Sequence, residues 1–240
     1  ACLSSAPGLG KTLLRTVLNR SLDRQRFVVI SIETSLLGFD ELLLEIISQM
    51  RGDRAYATEF PDRYSRLAEF KLLLTEHVVQ SGRQLALLID EAHGLEKNTL
   101  ENQRNLTNNC AEQNNMMSIV LIGGSRQETT LRALPELAQR IAVRSSLAAF
   151  DIEQTDAYLQ HRLNIAGCHQ AHPFNDADLK RLHQATRGIP REINSVLTQA
   201  ISMAQQSSGL LSSDSLDQAL KQRSASNNGQ SDEFQSLGMS

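Results

Sequence analysis

Short apolar runs alternate with longer amphipathic stretches through the first 150 residues. The runs FVVISIE at 27–33, QLALLI at 84–89 and MSIVLI at 117–122 are β-branched and nearly continuous, the pattern of strands buried on both faces. Between them, residues 11–23, 39–50, 62–80 and 95–113 repeat apolar side chains at helical spacing and are too long for loops. Strand alternating with helix predicts a parallel, doubly wound α/β sheet, because parallel neighbours need a crossover helix to connect them. Residues 2–4 read as the stub of a first strand and 145–150 as a fifth.

After Phe150 the period is helical only. Helices are predicted over 152–166, 176–186, 192–206 and 213–222, with Asn175 and Ser213 as N-caps and Gly167, Gly188 and Gly209 as stops. The chain therefore divides into an α/β core (1–150), an all-helical lid (151–222) and a polar segment (223–240). That last stretch, rich in Ser, Asn, Gln and Gly, holds too few apolar residues to repay the entropy of ordering and reads as a disordered tail or linker.

Composition narrows the function classes. At 240 residues and 40% hydrophobic content the chain has enough material for one sizeable core and a small appended domain. No apolar run approaches the roughly 18 residues of a membrane-spanning helix. A net charge of −3 supplies no global field toward nucleic acid, which leaves only local basic patches for such a role. Cys2, Cys110 and Cys168 are odd in number and irregularly spaced, which fits neither a disulfide framework nor a zinc site and points to a reducing, cytoplasmic setting. The chain opens Ala-Cys-Leu with neither an initiator methionine nor a charged leader, so it is expected to be cut from something longer and to carry no signal peptide.

Two segments carry chemistry. Residues 5–12 read Ser5, Ala6, Pro7, Gly8, Leu9, Gly10, Lys11, Thr12, directly after the strand stub and before a helix that continues with Leu13. Glycines at that junction let backbone N–H groups converge on a phosphate chain, and the helix adds its positive end. Lys11 is expected to reach the β- and γ-phosphates, and the Thr12 hydroxyl to bind Mg2+. The bland alternative is a Gly-Pro turn ahead of a helix. Ser5 stands where the Gly-x4-Gly-Lys-Thr pattern has its first glycine; if that position needs a positive φ, Ser5 carries strain of order 1 kcal/mol.

The second segment, Leu-Ala-Leu-Leu-Ile-Asp-Glu-Ala-His at 85–93, is an apolar strand ending in two carboxylates. Ligands of open α/β sheets bind beyond the carboxyl ends of the strands. Asp90 is thus expected to hold Mg2+ and Glu91 to orient or deprotonate the attacking water; the alternative is a strand capped by solvated charges. His93 lacks partner ligands at metal spacing and reads as a first-turn helix residue. No guanine-reading Asn-Lys-x-Asp occurs, so ATP is expected rather than GTP.

These residues resemble the AAA+ P-loop ATPases, and within them the ExeA-, MshM- and TniB-like group that also includes DamX-like proteins. The resemblance runs from about residue 2 to 220. It rests on 6–12, on 88–93, on Leu-Ile-Gly-Gly at 121–124, on Gln-Arg-Ile-x-x-Arg at 139–144 and on Gly-Ile-Pro-Arg-Glu-Ile-Asn at 188–194. It implies strand order 5-1-4-3-2 with a helical lid and ATP in the cleft between them. Arg191 is implied as the lid arginine touching the γ-phosphate, and Arg140, with Arg144 as second choice, as the finger reaching a neighbouring subunit's site. Ser125 is implied as the polar sensor beyond the fourth strand, and the adenine pocket as lying partly before Ala1. Guanidinium suits both arginine roles, being permanently charged and fork-shaped.

The implied activity is ATP hydrolysis in a nucleotide-dependent homo-oligomer, binding ATP or ADP and Mg2+ and serving a protein partner in envelope assembly, secretion or cell division, with any membrane link through segments elsewhere. The alternatives are a DNA-engaging transposition regulator, tracking phosphates with arginines such as Arg20, Arg24 and Arg26 or Arg51 and Arg54, and a nucleotide-gated scaffold with little turnover.

Overall fold

The computed structural model describes residues 1–33, 37–95, 99, 116–126, 129, 131, 133–207 and 209–236. The chain separates into two compact units, Ala1–Leu147 and Ala148–Ser240.

The first unit is built on five parallel strands: β1 (Cys2–Ser5), β2 (Phe27–Glu33), β3 (Gln84–Asp90), β4 (Met117–Gly123) and β5 (Arg144–Leu147), in spatial order β2-β3-β4-β1-β5. This is the expected order read from the opposite edge. β3 buries every residue from Leu85 to Asp90, as a continuous apolar run predicts for a strand covered on both faces. β5, by contrast, is an edge strand, and its exposed Arg144, Ser145 and Ser146 are the polar side chains that blunt such an edge. It ends earlier than expected, at Leu147, because Phe150 already belongs to the second unit, where its N–H donates to the Gly188 carbonyl.

Helices α1 (Lys11–Ser21), α2 (Phe39–Arg51) and α3 (Arg63–Leu74) accompany the sheet. α3 runs on into a π-helical turn at Thr75–Val79, and a single turn, α4 (Pro135–Ala138), precedes β5. The core gathers where Leu42, Leu43, Ile46 and Ile47 of α2 and Phe70, Leu73 and Leu74 of α3 meet Ile30, Ile32, Leu85, Leu87 and Ile89. Asp62 caps α3, its carboxylate accepting from Ser65 N at 2.8 Å, one of the donors a helix start leaves unsatisfied. The helix expected over 95–113, apart from Leu95 and Thr99, lies outside the described residues, as does Cys110.

Helix α1 departs from the expected amphipathic pattern. None of its residues is fully buried, and Leu13 and Val17 are 68% and 52% exposed. A charged residue, Arg15, is instead among its better-covered side chains.

The second unit contains α5 (Ile152–Ile165), α6 (Asp176–Thr186), α7 (Pro190–Ser207) and α8 (Ser213–Ser236). Leu159, Leu182, Ile193, Val196 and Leu216 form its core. Asn175 caps α6 as predicted, accepting from Ala177 N and Asp178 N, and Gly167, Gly188 and Gly209 adopt positive φ. α7 begins two residues earlier than expected because proline suits the first helical position.

Two expectations change. The cap of α8 is Ser212, whose hydroxyl accepts from Ser215 N, while Ser213 donates its hydroxyl to Asp178 Oδ2 at 2.6 Å. α8 also continues to Ser236, through most of the segment read as a disordered tail; once packing of Leu216 and Ala219 has set the helix, each further residue adds a hydrogen bond without a new nucleation cost.

Candidate functional site

The phosphate loop begins where β1 stops. Gly8 and Gly10 have φ of 85° and 94°, left-handed torsions that glycine reaches without steric cost. A Cβ on Gly10 would meet nothing within 4 Å, so torsion rather than crowding calls for glycine there. Gly10 opens α1, its carbonyl accepting from Leu14 N at 2.9 Å with no side-chain cap. The helix start therefore presents unsatisfied N–H groups and a positive dipole end, an anion site by construction.

Ser5 corrects the expectation of strain. It is the last residue of β1, paired with Leu147, 6% exposed and free of positive φ. The bend is taken up by Gly8 and Gly10, so serine is accommodated as an ordinary strand residue. Lys11 folds back over the loop, its Nζ donating to the carbonyls of Ser5 and Ala6, each at 3.2 Å. Thr12 is exposed on the first turn of α1, beside Leu13.

Asp90 closes β3 at 2% exposure, its Oδ1 accepting the Glu91 N–H at 2.9 Å. Glu91 then takes φ 52°, left-handed for a residue with a Cβ. Such a torsion is held only by its surroundings, at a cost of about 1 kcal/mol or more. The turn Ala92–Gly94 follows, with Gly94 N donating to Glu91 O.

Because all strands are parallel, β1, β3 and β4 release their chains at the same edge. β4 lies between β1 and β3, so its exit at Gly123, Gly124 and Ser125 falls between the phosphate loop and Asp90. Arg15 ties the two motifs together. Its Nε lies 3.5 Å from Asp90 Oδ2, and its guanidinium donates to Glu33 at the end of β2. Glu33 and Asp90 are register neighbours across β2 and β3, and a shared cation relieves the repulsion two such carboxylates would feel. Lys11 stands one helical turn before Arg15, on the same side of α1.

Sequence reasoning passed over Arg15 and Glu33 and gave His93 no functional role. A lone arginine among Leu13, Leu14 and Val17 was the available sign for the first. For Glu33 it was a carboxylate ending a strand as Asp90 does. His93 belongs to the turn after Glu91 rather than to a first helical turn, and its Nδ1 lies 3.1 Å from Glu91 Oε2 and 3.3 Å from Gly124 N. Among the described residues no group of three or more His, Cys, Asp or Glu is placed to hold a metal.

Ser125 is exposed just beyond β4, and Arg140 is exposed in the turn before β5. Arg144 lies in β5 and donates to the Ala138 carbonyl at 3.0 Å. Arg191 is exposed on the first turn of α7, in the second unit.

Residues 1–131 match the AAA domain family model. General secretion pathway protein A of Aeromonas hydrophila is 32% identical over 207 residues, covering 83% of this chain and 36% of that protein, so the chain spans about a third of that relative's length. Among solved structures, the Aeropyrum pernix ORC2 protein in ADPNP–ADP complexes superposes with a TM-score of 0.68 at 15% identity, over 92% of this chain and 61% of that one. Cdc6p from Pyrobaculum aerophilum gives 0.62 at 21%, over 86% and 55%. The Thermotoga maritima RuvB Holliday junction branch migration motor gives 0.57 at 17%, over 92% and 60%. A glycine-built phosphate loop, an acidic strand end on the same edge, this strand order and a match across more than half the residues agree in one assignment: the chain belongs to the AAA domain family of AAA+ P-loop ATPases.

Proposed function

We propose that the chain binds ATP at the loop of residues 5–12 and hydrolyses it at the edge where Asp90 and Glu91 emerge. The observation that carries this reading is the Arg15 bridge, which joins the helix behind the phosphate loop to the acidic end of β3. In this reading the N–H groups at the start of α1 and the Lys11 ammonium hold the phosphates, Lys11 exchanging its contacts with Ser5 and Ala6 carbonyls for phosphate oxygens.

The chemistry of the donors suits Mg2+: a buried carboxylate at Asp90 and a hydroxyl at Thr12 are the hard oxygens that ion prefers. Bound there with the nucleotide, Mg2+ would neutralise charge on the transferred phosphoryl group. Glu91, half-exposed and held off the strand by its left-handed torsion, is positioned to accept a proton from water or to orient it. With Ser5 unstrained, the reason for supposing a scaffold with little turnover falls away.

By resemblance, Ser125 and Arg191 sense the γ-phosphate, and Arg140, with Arg144 as second choice, completes a neighbouring subunit's site in an oligomer. Resemblance to the general secretion pathway protein supports work within a secretion complex, and we extend that reading to an envelope assembly served from the cytoplasmic face of a membrane. Calorimetry with ATP and Mg2+ tests binding: wild type is expected to release heat and Lys11→Ala to release none. Glu91→Gln is expected to bind ATP and lose phosphate release by 100-fold or more; equal rates in the two proteins would refute hydrolysis at this edge.

A further inference from the structure

Arg191 stands exposed on the first turn of α7, its guanidinium without a hydrogen bond or ion pair among the described residues. Its neighbour differs. The Glu192 carboxylate accepts from the Arg223 guanidinium of α8, in a pair whose side chains are 34% and 23% exposed. One carboxylate set against two guanidinium groups leaves one positive charge unanswered, and a helix start itself favours a negative partner. Arg191 is thereby kept for an anion while Arg223 occupies the carboxylate beside it.

α8 arrives at this point after running beside α6. Ser213 meets Asp178 and Asp217 meets Arg181, both on α6, and Arg223 then meets the beginning of α7. Leu216, Ala219 and Arg223 follow one another at helical spacing on one face, the first two within the core. Arg223 thus stands where the apolar seam stops. Past it the helical backbone continues through residues 224–236, a length of about 20 Å. A partly exposed ion pair adds little net stability. The beginning of α7 has other anchors, since Ile193 lies in the core and the Gly188 carbonyl accepts from Phe150 N. The pair can therefore open without unfolding the unit.

We propose that Arg223 and Glu192 are positioning residues for Arg191, a latch through which the helix beyond residue 223 controls the preference of the site for ATP over ADP. Closed, the latch answers the Glu192 charge and leaves Arg191 to the γ-phosphate. Open, Glu192 stands uncompensated on the same turn, offsets the charge of Arg191 and competes with phosphate for it. Coupling of this kind is reciprocal, so a phosphate held by Arg191 favours the closed latch and an ordered arm at residues 224–236. The inference rests on the proposed binding of ATP with Arg191 at its γ-phosphate, and deepens that reading by naming what regulates it.

Arg223→Met keeps the stem of the side chain and removes its charge. It is expected to weaken calorimetric binding of ATP at least fivefold and to leave that of ADP, which lacks the γ-phosphate, within twofold of wild type. Adding Glu192→Gln to Arg223→Met is expected to restore ATP binding to within twofold, because the freed carboxylate is the competitor. Equal losses for ATP and ADP would mark a packing role and overturn the proposal, as would a double variant no better than Arg223→Met. Arg191→Ala separates the two levels of the argument. A loss of ATP preference there with none in Arg223→Met overturns the latch alone, whereas no loss in Arg191→Ala refutes the reading of Arg191 and the latch with it.

Hydrogen exchange reads the reverse direction. In Glu91→Gln, which holds the nucleotide uncleaved, saturating ATP and Mg2+ are expected to slow amide exchange over residues 224–236 at least threefold. With Arg223→Met added, that slowing is expected to disappear. Slowing of equal size in both proteins would overturn the coupling, as would unchanged exchange in Glu91→Gln shown to have bound ATP.

Discussion

Gly188 links α6 to α7 at a place where backbone meets backbone. Its φ is +67°, and a Cβ built on it would lie 1.9 Å from the Phe150 carbonyl oxygen, 2.9 Å from the Phe150 carbonyl carbon and 3.0 Å from the Phe150 nitrogen. The two residues also share a hydrogen bond, Phe150 N to Gly188 O at 2.9 Å. In Gly188→Ala the left-handed torsion costs about 1–2 kcal/mol. Forcing two backbone segments apart adds about 1–3 kcal/mol, and the hydrogen bond lost with that movement about 1 kcal/mol.

The expected destabilisation is thus about 3–6 kcal/mol, a large share of the stability of a small unit. At about 4–8 °C per kcal/mol, the melting temperature of the second unit falls by at least about 12 °C. Gly167→Ala is the comparison, since Gly167 has φ +82° with nothing within 4 Å of the new Cβ; only the torsional cost of about 1–2 kcal/mol applies. Urea unfolding followed by hydrogen exchange over residues 150–207 measures both in the second unit. Equal losses in the two variants would refute the close approach of Gly188 to Phe150.

Arg15→Met keeps the bulk of α1 while leaving Glu33 and Asp90 without their shared cation; stability without Mg2+ is expected to drop by about 1–3 kcal/mol, and the rise in melting temperature on adding Mg2+ and ADP to exceed that of wild type. In the second unit, burial pushes the Asp178 pKa up, but the Ser213 hydroxyl, the Asn175 N–H and Arg181 together hold it below the ordinary carboxylate value. A folded pKa below the unfolded one means that Asp178 stabilises the fold above about pH 4 and that this is lost as pH falls through the folded value. Asp178→Asn is therefore expected to be less stable at pH 7 and to show a shallower decline between pH 5 and pH 2 in calorimetry. If Arg140 completes a neighbouring site, inactive Arg140→Ala and Glu91→Gln proteins mixed together are expected to regain phosphate release that neither shows alone.

Much of this architecture is legible along the chain, for reasons that are local. Continuous β-branched runs at 27–33 and 84–89 belong to strands covered on both faces, and their alternation with helical stretches leaves parallel pairing as the outcome. Asn175 announces the start of α6 because its side chain reaches N–H groups only two and three residues away. The phosphate loop and the Asp90–Glu91 pair are equally local: each is a run of adjacent residues whose chemistry follows from order alone. Less was visible in α1, where apolar residues at helical spacing turn out exposed and Arg15 is covered. Periodicity marks a helix but does not say which side faces the sheet when a charge has a buried carboxylate, Asp90, waiting for it.

The chain's order of residues by itself determined the strands, the helices, the loop glycines and the acidic strand end, since torsional preference and burial act within a few residues. Tertiary structure alone decided that Ser5 remains an unstrained strand residue while Gly8 and Gly10 take up the bend. It alone inserted β4 between β1 and β3, brought Arg15 to both Glu33 and Asp90, and set His93 between Glu91 and Gly124. Those contacts join residues far apart along the chain, Cys2 with Leu121 and Arg15 with Asp90 among them, and acquire their meaning only when packing of the whole sheet has chosen which strands are neighbours.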